Sequence, residues 1–175
     1  RLYGQAIGGS PLGVAIDLRA RQTTTTSAGV HTVDGHTRAY QAVLFWNAPD
    51  ARYRVAAGRQ YLATVSSIGL FDGGLVEVNG SHLTFGGCLG WEPDPSTLAF
   101  SSSVHDFGGY FTVHNRPGGA TASAFTLGAV GSYQGSTERR EWALAQANVS
   151  NRYLSLYLLQ EVDYYRPWKL EGPNA

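Results

Sequence analysis

What the chain lacks sets its first limits. One cysteine in 175 residues rules out an internal disulfide framework and a cysteine-built zinc site. Methionine is absent, and Lys169 is the sole lysine beside twelve arginines. Charged residues make up only 15%, against ~25% in an average soluble protein, and 13 basic side chains balance 13 acidic ones. Without a basic block the chain has no means of neutralising phosphates, so no nucleic-acid partner is expected. No stretch approaches the ~20 apolar residues of a membrane helix. The longest candidate, Leu154 to Leu159, is broken by Ser155, so no membrane span is expected. At 43% hydrophobic the chain is nonetheless too apolar for intrinsic disorder.

What is present points to strands. The chain has 22 glycines and 12% aromatic residues, and its length favours a single domain over 1–175. Ala42-Val43-Leu44-Phe45-Trp46 is an apolar run stopped by Asn47-Ala48-Pro49-Asp50. Arg52-Tyr53-Arg54-Val55 and Tyr110-Phe111-Thr112-Val113-His114 alternate, as half-buried strands should, and Tyr61 to Val65 reads as another strand. Leu75 to Val78 and His82 to Phe85 flank Asn79-Gly80, a two-residue hairpin signal because both positions tolerate positive φ. Ser136 to Ala147 has helix-forming residues after a capping serine and threonine. Trp142 and Leu144 alternate there with small residues, however, which favours a strand. Tyr153 to Val162 makes one strand or two. Short strands between glycine-rich turns predict an all-β domain, a β-sandwich or β-barrel of roughly a dozen strands, with a β-trefoil as the alternative. Residues 22–29, rich in threonine, read as a mobile polar loop or an extended edge, and 171–175 as a tail.

The compartment follows from smaller signs. The chain begins at Arg1 without methionine, which reads as a processed product, and sequons at Asn79 and Asn148 offer glycosylation sites. An extracellular or cell-wall location is expected. Near-zero net charge removes colloidal repulsion and favours association, so a homodimer is expected.

Catalytic motifs are missing. There is no Gly-x-Ser-x-Gly elbow, HExxH pair, phosphate-binding loop or EF-hand loop. None of the five histidines shares a strand face with another at a spacing of two. His31 and His36 flank a probable-turn pair, Asp34-Gly35, but solvated turn histidines are the plainer reading, and neither metal nor cofactor is expected. Glycoside hydrolysis needs two carboxyl groups at a set separation. Glu161 and Asp163, two apart on one strand face, form the best such pair, though they read equally as the wet side of an edge strand. The segment from Cys88 to Pro95 holds Trp91 beside Glu92 and Asp94, with two prolines stiffening the backbone. An aromatic platform with nearby acids suits a sugar's apolar face and its hydroxyls, and His105 and Asp106 follow in the next turn. These five are the candidate ligand-binding residues. Cys88 itself reads as a small buried hydrophobe.

The run from Leu75 through the Asn79-Gly80 turn to Cys88 resembles the strand–turn–strand–cysteine stretch of small secreted fungal cell-wall proteins and related IgE-binding allergens. Gly8-Gly9-Ser10-Pro11 and Glu141-Trp142-Ala143-Leu144 followed by Asn148-Val149-Ser150 are similar to the same group. The resemblance implies a secreted, surface-associated β-protein without assigned catalytic residues, and it departs from the family in having one cysteine where a pair or more is usual. The residues together favour binding over catalysis, with a cell-wall polysaccharide or a host protein as partner. A small carbohydrate-active hydrolase and a self-assembling surface protein are the alternatives.

Overall fold

The computed structural model describes residues 1–27, 30–115 and 120–164, the side chains of 26, 27 and 30–32 excepted. The expected tail at 171–175 lies outside the described residues. Ten strands follow one another: β1 (Leu2–Gly4), β2 (Leu12–Ser27), β3 (Val30–Asn47), β4 (Tyr53–Tyr61), β5 (Leu70–Asn79), β6 (Leu83–Trp91), β7 (Val104–His114), β8 (Thr121–Gln134), β9 (Thr137–Asn151) and β10 (Ser155–Asp163). Each pairs antiparallel with the next, so the order in the single sheet is the order in the chain. The all-β expectation holds. Among the described residues the only helical element is a 3-10 turn at Ile7–Gly9, and no helix is long and apolar enough to cross a membrane.

Period-two burial explains the strand choices. In β9, Trp142 and Leu144 are buried while Ala143 is exposed, an alternation that a helix over the same residues would not produce. The Asn79-Gly80 hairpin forms, but with residues 80–82 as the connection. Neither Asn79 nor Gly80 has positive φ; the Gly80 N–H bonds the Leu83 carbonyl, and Asn79 Oδ1 accepts from Thr84 Oγ1 at 2.9 Å. Two further expectations are settled or corrected. Of the two readings of 22–29, Gln22 to Ser27 take the extended one, paired residue for residue with β3 in keeping with the β-propensity of threonine, while 28 and 29 lie outside the described residues. Tyr61 to Val65 is not a strand beyond Tyr61: residues 62–69 turn under the sheet, where Leu62 and Val65 are buried.

The two ends of the sheet differ. At one end lie the connections 5–11, 48–52, 80–82 and 152–154. At the other lie the two longest described, 62–69 and 92–103, the two-residue connection 135–136, and the arm in which residues 30–41 of β3 pair with β2 alone. Gly58 (φ +121°) keeps its register with Val43 and Gly73 and lets β4 approach β3 closely; a Cβ there would lie 2.2 Å from the Ala42 carbonyl.

The sheet curls around its buried face. The 62–69 segment, between β4 and β5, bonds β9 and β10, which lie five strands away and ~24 Å distant in a flat sheet. Trp142 Nε1 donates to Ser67 Oγ at 3.0 Å, Gln146 Nε2 donates to the Ala63 carbonyl at 3.2 Å, and the Ser66 and Tyr157 hydroxyls are 2.8 Å apart. One apolar cluster accordingly runs from Ala15 on β2 to Leu144 on β9, with Val65 and Phe71 inside it.

Candidate functional site: the two faces of the sheet and an interior chamber

Registered neighbours in adjacent strands share a face, so the sheet can be followed row by row. One row runs Leu12, Trp46, Val55, Val76, Gly87, Gly109, Ala129, Ala143, Val162 across nine strands without a polar side chain. The row below it on the same face, Tyr53, Val78, Phe85, Phe111, Leu127, Ala145, is apolar until Gln160 on the edge strand. The row above, from Val14 and Leu44 through Leu89 and Phe107 to Gly131, is apolar until Glu141. This face is open: Leu89 is 62% exposed and Val76 53%. Its upper margin is aromatic. Trp91 and His105 are registered partners, as are His105 and Tyr133. Trp91 meets Phe100 edge-on at 6.0 Å, and the Tyr133 ring stacks on both His105 and Phe107.

The buried face carries the polar groups. The row between the two lower apolar rows reads Asn47, Arg54, Glu77, Gly86, Tyr110, Gly128, Leu144, Glu161. Glu77, only 7% exposed, accepts from Tyr110 Oη at 2.5 Å and from Arg54 Nη1 at 3.0 Å. Gly86 leaves room for the Tyr110 ring, which a Cβ would meet at 2.2 Å. Further along, the buried Thr112 and Thr126 hydroxyls are 2.8 Å apart.

Toward the long-loop end, Asp106, Ser132 and Arg140, registered neighbours on β7, β8 and β9, border an open-mouthed chamber of about 380 Å³ that is also lined by Ser67, Ile68, Glu92, Arg139 and Trp142. Arg139 Nη1 donates to Glu92 Oε2 at 2.6 Å. Arg140 donates to Asp163 Oδ1 at 2.5 Å and to Glu161 Oε2 at 2.8 Å, and its guanidinium lies 4.5 Å from the centre of the Trp142 ring. Asp106 is 6% exposed, and its Oδ1 has no hydrogen-bond partner.

The sequence-level candidates therefore separate. Glu92 and Asp106 meet in the chamber, whereas Trp91 and His105 belong to the aromatic margin of the open face. Asp94 Oδ1 caps its own loop, accepting from the hydroxyls and N–H groups of Ser96 and Thr97; these bonds, that of the Ser96 hydroxyl foremost, hold its carboxyl below the usual carboxylate range. Glu161 and Asp163 do share a face, but Arg140 is clamped between them. Of the sequon residues, Asn79 donates to the Ala51 carbonyl at 3.2 Å, and Asn148 is registered with Tyr157. His36 lies 3.4 Å from Asp34, while the side chain of His31 is outside the described set. Among the described residues no three His, Cys, Asp or Glu groups are placed to hold a metal ion. Sequence reasoning missed Ser132, Arg139, Arg140 and Trp142, which the adjacency of β7, β8 and β9 brings beside Asp106, and Ser67, which the curling of the sheet brings there. Comparison with protein-family models, curated proteins and solved structures finds no match for this chain.

Proposed function

We propose that this chain is the wall of a lipid-embedded β-barrel in a cell envelope, with a polar interior narrowed by residues 62–69. The observation that carries the reading is the make-up of the two faces: the outward rows are apolar save for Gln160 and Glu141 near the β10 edge, while Arg54, Glu77, Thr112, Thr126 and Gln146 point inward beside the apolar cluster. A sheet built for water places these sets the other way round, whereas membrane barrels alternate apolar-out and polar-in with aromatic margins. The dimensions agree. β4 to β7 have 9, 10, 9 and 11 residues, the length of a membrane-crossing strand. From Leu83 to Trp91 the open face extends ~26 Å along the strand, or ~20 Å of height at the strand tilt of a membrane barrel, most of a barrel's apolar band.

In hydrocarbon the outer edges of β1 and β10 require strand partners, because unpaired N–H and C=O groups there have no water to bond. On this reading the protein sits at the cell surface, held in the bilayer. Binding by Glu92 and Asp106 then takes place in its interior, along a path for small polar solutes.

Tryptophan quenching in vesicles of brominated phospholipid tests the reading, using single-tryptophan variants. Trp91 on the open face is expected to lose most of its emission, and Trp142, buried on the other face, to keep it. Equal quenching of the two, or failure of the protein to enter the vesicles, would refute the proposal.

A further inference from the structure

We propose that the chamber beside Asp106 is a binding site for a small primary ammonium compound with a short aliphatic tail. The inference rests on the chamber itself and does not require lipid around the sheet.

Four carboxyl groups, Glu92, Asp106, Glu161 and Asp163, face two guanidinium groups. Both guanidiniums are already matched, Arg139 by Glu92 and Arg140 by Glu161 with Asp163. Asp106 is the acid left over, and one of its oxygens has no partner although the residue is more than nine-tenths buried. A buried polar atom without a partner is costly, and structures rarely keep one without a reason. Burial pushes the Asp106 carboxyl up, against a hydrogen bond from Ser132, and its ionised form is held by a partner that donates hydrogen bonds or carries positive charge. The other three carboxylates already accept from arginine, which leaves Asp106 as the one carboxylate of the four not paired with an arginine. An anion would find both arginines already engaged.

An ammonium group supplies three N–H donors. One can go to Asp106, and the hydroxyls of Ser132 and Ser67, which also line the chamber, can accept the others. Ile68 and Trp142 offer apolar surface for a carbon tail. The volume of about 380 Å³ is at the lower end for small-molecule sites, which sets the size of the occupant.

The test is calorimetric titration of the full chain in detergent micelles with propylammonium chloride. Tetramethylammonium chloride, sodium acetate and glucose serve as comparisons. Saturable one-to-one binding of propylammonium alone is expected. Asp106→Asn should weaken it on the order of tenfold or more, the cost of losing a charged hydrogen-bond partner. Asp50→Asn, in a short turn at the opposite end of the sheet, should leave it unchanged. A measurement on the unmodified protein runs in parallel: the Asp106 carboxyl carbon and the Trp142 indole N–H should shift in NMR spectra as propylammonium is added. The proposal is overturned if tetramethylammonium, acetate or glucose binds as tightly, if Asp106→Asn binds like the parent, or if neither resonance moves.

Discussion

Arginine in place of Val76 is expected to cost about 2–4 kcal/mol of folding free energy in lipid vesicles, the penalty for a cation at mid-depth on the outside of a membrane barrel. Val76 lies in the middle of the open face, registered with Val55 on one side and Gly87 on the other, and no polar side chain in its row could receive the charge. Leu83→Arg provides the depth control. Leu83 begins β6 beside the short 80–82 connection, so its arginine can reach the interface and should cost only about 0–1 kcal/mol. Urea titration of folding in phosphatidylcholine vesicles measures both. On a sheet surrounded by water, either change would fall within about 0.5 kcal/mol of the parent. Small, equal effects for the two variants would therefore remove lipid from the account, while a steep dependence on position has no other source in this fold.

The strands were largely legible in the sequence because alternation and turn residues are local signals. Ala42 to Trp46, the hairpin around Asn79-Gly80 and the strand through Trp142 and Leu144 all stand where the pattern puts them. Which way each strand faces was not legible. Alternation shows that Val76 and Val78 oppose Glu77, but it does not show which of the two sets is covered, and the habit of placing apolar residues inside gives the wrong side here. The run-length test for a membrane segment reads helices, and a strand with every second residue outward contains no long apolar run at all. The scarcity of charge was the one global sign, since an outer face in contact with lipid has no use for ions.

The chamber was half legible for a related reason. Glu92 was singled out because it sits beside Trp91 in a proline-stiffened stretch, and Asp106 because it follows soon after in sequence, just beyond the 92–103 segment. Arg139, Arg140 and Trp142 join them because β7, β8 and β9 are adjacent, and Ser67 because 62–69 folds beneath the sheet to reach β9. Trp91, by contrast, was grouped with Glu92 on proximity alone. Successive residues of a strand point to opposite faces, so an aromatic at the last position of β6 is turned away from the interior.

Arg59→Leu should be the most damaging single substitution at the long-loop end, costing about 3–5 kcal/mol. Arg59 stands on the open-face side of β4, in the row of Asp72 and Trp91, yet it is 9% exposed. Its Nε and Nη2 meet the two Asp72 oxygens at 2.7 and 2.5 Å. Its Nη1 donates to the Ala39 carbonyl at 3.0 Å and also to the Leu98 carbonyl, so one guanidinium joins β3, β4, β5 and the 92–103 segment. Leucine at this position strands the Asp72 carboxylate under cover, which is where most of the loss arises. Arg59→Leu combined with Asp72→Leu should therefore recover most of the stability, since no buried charge then remains. Arg59→Lys should fall between the parent and the single leucine variant, because an ammonium cannot make the two-pronged contact. Denaturant titration of the four proteins gives the stabilities, and amide exchange at Leu98 and Ala99 reports whether the 92–103 segment has come away. A single leucine variant within about 1 kcal/mol of the parent, or a double variant no better than the single, would show that the Arg59–Asp72 pair does not hold the segment to the sheet.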